Sequence, residues 1–103
     1  MLTLDESANG QDVELGVGQE LEVRLRENPT TGYRWRLASA AAPACQLIKD
    51  YLGVSGETHG GGGIHHWLFQ GVQAGSGTIQ LVLRRSWEPE AAQTFALQVR
   101  VVS

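Results

Sequence analysis

Three histidines, one cysteine and a run of four glycines are the residues of this 103-residue chain whose types invite chemistry. Gly60, Gly61, Gly62 and Gly63 would suit a phosphate cradle, but the Lys and Ser/Thr of a P-loop do not follow and a strand, not a helix, comes next. Two readings of the run stay open. It is a flexible hairpin loop, or it is backbone left bare so that something can lie close against it. His65 and His66 are adjacent, so on a strand they point to opposite faces and cannot easily share an ion. His59 lies across the glycine run, and no C-x-x-C, H-E-x-x-H or carboxylate cluster completes a metal site. All three are expected to be solvated or half-buried structural histidines. Cys45 sits in an apolar stretch without a nearby base, which predicts a buried structural thiol rather than a nucleophile. The acidic pairs Asp5-Glu6 and Glu88/Glu90 have no apolar pocket around them and read as surface charge. Asn28-Pro29-Thr30 has the outline of a glycosylation sequon that its proline excludes. No base–nucleophile or acid–base constellation, metal set or cofactor motif emerges, and an enzyme is the least favoured class.

The elements that would carry these residues are strands. Leu21, Val23 and Leu25 alternate with Glu20, Glu22, Arg24 and Arg26, and Tyr33, Trp35 and Leu37 alternate with Arg34, Arg36 and Ala38. A period of two puts one face in the core and one in water. Similar segments are predicted at about Asp12–Leu15, Cys45–Leu52, Ile64–Val72, Thr78–Arg84 and Gln93–Val102, with Gly53–Gly63 and Gln73–Gly77 as connections. About seven short strands without a 3.6-residue period predict an all-β fold, an immunoglobulin-like antiparallel β-sandwich. It would be one domain over residues 1–103. With one cysteine it would have no internal disulfide.

Between the first two clear strands stands Asn28-Pro29-Thr30-Thr31-Gly32-Tyr33. Pro29 fixes its own φ and holds Asn28 extended. The two threonines have few rotamers, and Gly32 permits a positive φ. A loop that merely reverses the chain needs no such stiffness, so this one is expected to be a pre-formed contact surface. A further aromatic, Trp87, falls in the polar connection Arg85–Ala92. It is either a core tryptophan folded over the sandwich edge or an exposed anchor of the type that dominates binding hot spots.

Hydrophobic residues make up 42% and charged residues 18%, as in soluble globular domains, and the net charge is −3. The arginines are scattered, which argues against nucleic acid as a partner. No apolar run is long enough for a membrane helix, and a free monomer is expected. The opening Met1-Leu2-Thr3-Leu4-Asp5-Glu6 is not a signal peptide. A periplasmic or secreted location is favoured if a leader was removed, a cytoplasmic one otherwise.

Three loops stand out together: residues 28–33, 60–63 and 85–87. Their order and spacing resemble the chagasin-type inhibitors of papain-like cysteine proteases, which carry an NPTTGY/F loop, a GxGG loop and an RPW-type loop. Asn28 to Tyr33 match the first motif at every position. Gly60 to Gly63 satisfy the second, with Trp67 following. Arg85-Ser86-Trp87 match the third except that Ser86 replaces proline. The resemblance runs from about residue 12 to the end. It implies a sandwich with all three loops at one end and a reversible, tight-binding inhibitor of papain-like cysteine peptidases. It further implies that Thr30 and Thr31 face the catalytic centre and that Gly61–Gly63 run along the substrate groove. Trp87 would anchor on the primed side, with Arg85 either positioning its loop or meeting acidic groups of the protease. The alternative is an immunoglobulin-like adhesion or assembly module that binds through sheet faces or edges.

Overall fold

The computed structural model describes residues 1–54 and 62–103. Where the sequence alternates, the backbone is extended. The inward positions Leu21, Val23, Leu25, Phe69, Ile79, Leu81, Phe95, Leu97 and Val99 are sealed from solvent. Among the described residues eight strands result: β1 Leu2–Leu4, β2 Asp12–Gly16, β3 Glu20–Glu27, β4 Arg34–Ala40, β5 Cys45–Val54, β6 Gly63–Gly71, β7 Gly75–Arg84 and β8 Gln93–Val102. They form two four-stranded sheets, in spatial order β1-β3-β6-β5 and β2-β8-β7-β4. The apolar faces of both sheets contribute to one buried cluster, as the sandwich reading requires.

The details differ from expectation at the N-terminus. β1 is an eighth strand, and the sheets are not wholly antiparallel: β1 runs parallel to β3 and β2 parallel to β8. Parallel neighbours need a crossover, and here each crossover passes through the opposite sheet. The chain leaves β1 at the edge of one sheet, makes a single 3-10 turn at Glu6–Ala8, and enters β2 at the edge of the other. Ala8 is buried at that crossing. The acids expected to be mere surface charge hold it in place. Asp5 accepts from the Ser7 amide at 2.9 Å, and Glu6 accepts from the Arg26 amide at 2.9 Å.

Three strands also depart from the bounds expected of them. β5 continues to Val54, and β7 begins at Gly75, inside the predicted turn, with Gly75, Ser76 and Gly77 paired to Val101, Arg100 and Val99. Glycine composition hid this strand start. β6 begins at Gly63, whose neighbour across the ladder is Val54. A Cβ on Gly63 would stand 2.7 Å from the Gly53 carbonyl oxygen, a backbone atom that cannot step aside. Gly63→Ala is therefore expected to destabilise the fold by about 1–3 kcal/mol, read as a lower urea midpoint. An unchanged midpoint would show that the two strands part freely there.

Cys45 is buried, and burial pushes its thiol above the usual range. That fits the structural thiol predicted for it.

The ladder registers place the candidate loops. Glu27 pairs with Gly63 and Gly63 with Val54. Arg34 pairs with Arg84. The ends of β3, β5 and β7 and the starts of β4 and β6 therefore lie at one end of the sandwich, and the 28–33 and 85–92 connections and Gly62 spring from it.

Candidate functional site

The 28–33 loop is fastened internally. Pro29–Thr31 makes one 3-10 turn. The Asn28 carboxamide oxygen accepts from the Thr30 amide at 3.1 Å and from the Thr30 hydroxyl at 2.6 Å. The Asn28 carbonyl accepts from the Thr31 hydroxyl at 2.8 Å, and that hydroxyl accepts from the Tyr33 amide at 3.2 Å. Asn28 and Thr31 thus tie the backbone within two or three positions of themselves, the local bonding at which Asn and Thr excel. Gly32 has φ +83, the left-handed region.

Gly32 is bare for a second reason. A Cβ there would lie 2.8 Å from Cη2 of Trp87. The first and third loops are in contact, ring edge against glycine. Trp87 itself is 68% exposed, so it is not the core tryptophan of the first reading. Arg85 joins the same pair of loops. Its Nε donates to the Thr31 carbonyl at 3.3 Å, and its guanidinium lies 4.3 Å from the centre of the Tyr33 ring and 5.7 Å from that of Trp87. Nη1 meets Glu88 Oε1 at 3.1 Å. Arg85 is therefore engaged within its own chain, with Thr31, Tyr33 and Glu88.

Gly60 and Gly61 lie outside the described residues, as does His59. Gly62 and Gly63 line a cleft of about 620 Å³ together with Asn28, Thr31, Tyr33 and Ile64. Thr31, Gly62 and Trp87 thus share one end of the molecule, the first two on one cleft and the third against Gly32.

The family model described as "Chagasin family peptidase inhibitor I42" matches residues 14–99. The chain belongs to the chagasin family. It is 35% identical to Amoebiasin-1 of Entamoeba histolytica, an alignment that covers 97% of this chain and 99% of that protein. The solution structure of Amebosin superposes with a TM-score of 0.80 at 33% identity, covering 98% of this chain and 97% of that one. The crystal structure of the cysteine protease inhibitor EhICP2 from Entamoeba histolytica superposes with a TM-score of 0.89 at 22% identity, over 98% and 95% of the two chains, and shows the shared fold.

Against the chagasin-family pattern, Ser86 stands where a proline is expected. Residues 85–88 form a turn closed by the Glu88 amide on the Arg85 carbonyl at 3.1 Å. Ser86 occupies the second position, where proline would fix φ. Side-chain bonds brace the end of this turn: Arg84 Nη1 donates to the Glu88 carbonyl at 3.3 Å, beside the Arg85–Glu88 pair.

What the motif reading missed lies beneath the loop. Glu27 occupies an inward position, in phase with Leu21, Val23 and Leu25, and its side chain is fully buried. Its Oε2 accepts from Arg34 Nε at 2.8 Å and its Oε1 from the Trp35 amide at 2.5 Å. His65 also points inward, against expectation, stacked on Trp67 at 4.3 Å. Its Nδ1 is 3.1 Å from Glu27 Oε1 and its Nε2 2.8 Å from Asp50 Oδ2. His66 faces the other way, stacked on Tyr51 at 4.5 Å. Among the described residues no three acidic, histidine or cysteine groups converge on a metal position. The signal was available in the sequence: Glu27 and His65 break the apolar phase of their strands, and a charge in an apolar phase requires partners.

Proposed function

We propose that this protein inhibits papain-like cysteine peptidases by filling the active-site cleft with residues 28–33, 60–63 and 85–87. Family membership makes it a peptidase inhibitor. The observation that carries the finer assignment is the contact between Gly32 and Trp87 beside a cleft lined by Thr31 and Gly62. Thr31, Gly62 and Trp87, far apart in sequence, thereby stand at the same end of the sandwich.

The physics of inhibition follows from the loop's construction. Hydrolysis requires reacting atoms about 3–3.5 Å apart and aligned. A loop locked by its own Asn28 and threonine bonds can sit beside a nucleophile without bending a peptide bond into that geometry. Being already ordered, it also loses little entropy on binding. Trp87 and Tyr33 offer aromatic surface held by Arg85, and three loops suffice for about 800 Å² of contact, the usual scale for protease–inhibitor pairs.

Titrating papain with this protein is expected to give reversible inhibition at nanomolar concentration or below, with the inhibitor recovered uncleaved. Full papain activity in the presence of micromolar protein would overturn the assignment.

A further inference from the structure

The 28–33 loop is more than a turn. It carries the chain from one sheet to the other, because β3 belongs to the β1-β3-β6-β5 sheet and β4 to the β2-β8-β7-β4 sheet. β3 and β4 therefore share no ladder, and the two stems of the loop have no backbone bonds to set their separation. We propose that the Glu27 carboxylate is the positioning residue of the inhibitory loop, the clasp that fixes how far apart its stems stand. His65 and Asp50 hold that clasp in place.

The geometry points to this in three ways. Glu27 is the last residue of β3, and its partners Arg34 and Trp35 are the first two of β4, so the carboxylate closes a ring around residues 28–33. A second bond crosses the same gap, from the Trp35 indole Nε1 to the Arg26 carbonyl at 2.8 Å. Behind the carboxylate, His65 of β6 and Asp50 of β5 extend the chain of polar contacts across the first sheet. Both ring nitrogens of His65 face carboxylate oxygens. The imidazole thus reaches both acids at once and meets Glu27 at Oε1, the oxygen that Arg34 does not hold.

Packing alone would have favoured an apolar residue at position 27, as at 21, 23 and 25. An apolar side chain there would leave the Trp35 amide without its acceptor. A buried carboxylate with two N–H donors and a histidine nitrogen beside it is a costly way to stabilise a sandwich but a specific way to set a distance, since such bonds weaken steeply as they lengthen and bend. Rigid stems matter for inhibition because a loop that samples other spacings binds only through its competent fraction, and affinity falls by that fraction.

This inference rests on the inhibitory role of residues 28–33, and the test separates the two. Glu27→Gln keeps the shape and one acceptor oxygen but loses the charge and the second acceptor. Against papain it is expected to inhibit at least tenfold more weakly than the parent. Hydrogen exchange of the Thr31, Tyr33 and Trp35 amides should quicken at least tenfold while Leu81, Phe95 and Leu97 keep their protection. Arg34→Met, which removes one donor at a half-exposed position, should show a smaller loss in the same direction and serves where Glu27→Gln does not fold. As a control, Ile79→Val weakens the core without touching the clasp and should inhibit as the parent does. Should the parent itself fail to inhibit, the functional reading falls, and the exchange of the loop amides still decides whether Glu27 orders the loop. Inhibition within twofold of the parent for both Glu27→Gln and Arg34→Met, or unchanged loop exchange, would overturn the positioning role. So would equal losses of protection in loop and core.

Discussion

Trp87→Ala is expected to weaken inhibition of papain by at least about 30-fold, the equivalent of about 2 kcal/mol, while the unfolding midpoint stays where it was. The ring is 68% exposed and touches its own chain chiefly along one edge, at Gly32. Removing it leaves no cavity in the core and strands no buried polar group, so folding has little to lose. Binding has much to lose, because a large rigid aromatic is the kind of side chain that desolvates well at low entropic cost. The surrounding bonds sharpen the expectation. Arg85 keeps its hold on Thr31 and Glu88 without Trp87, so the first loop should remain in place and only the anchor should disappear. A variant that unfolds several kcal/mol more easily would show that the ring supports the sandwich. A variant that inhibits as well as the parent would remove Trp87 from the contact surface.

Trp35→Ala should strike stability first. Trp35 is only 5% exposed and belongs to the core, and large aromatic truncations of this kind cost about 3–5 kcal/mol. Total stability of a domain is only about 5–15 kcal/mol, so urea denaturation should show the midpoint falling by a large fraction. The loss here has a second component. The indole Nε1 bonds the Arg26 carbonyl across the mouth of the 28–33 loop, and alanine leaves that carbonyl without its donor. Inhibition should therefore weaken even at temperatures where the variant is fully folded. A variant with unchanged stability would mean that the sheets close over the gap, and that the loop's stems are held by Glu27 alone. Two tryptophans of one chain thus separate the surface that binds from the scaffold that presents it.

The strands were legible because burial on one face imposes a period of two, and that period survives in the order of residue types. β8 is the clearest case, with Phe95, Leu97, Val99 and Val101 all inward. β1 and the first residues of β7 were not legible. The first is only three residues long, and the second starts in glycines whose pairing is decided by a neighbour rather than by their own propensity. The parallel pairings of β1 and β2 are also invisible to local pattern, since alternation reports which face is buried and not which way the neighbour runs.

The site divides in the same manner. By itself the sequence determined the stiff 28–33 loop and its family, because rigidity there is written in Pro29, the threonines and Gly32, each acting on the backbone beside it. Only the tertiary structure decided that Trp87 is exposed, that it rests on Gly32, and that Arg85 turns inward to the first loop. It alone decided that Glu27 closes the loop from below with His65 and Asp50 behind it. Those contacts join residues 7 to 55 positions apart along the chain, as with Glu27 to Arg34 and Gly32 to Trp87 at the short and long ends. Local chemistry can be read residue by residue. Which distant side chains meet depends on how two sheets register against each other, and that is a property of the whole packed core.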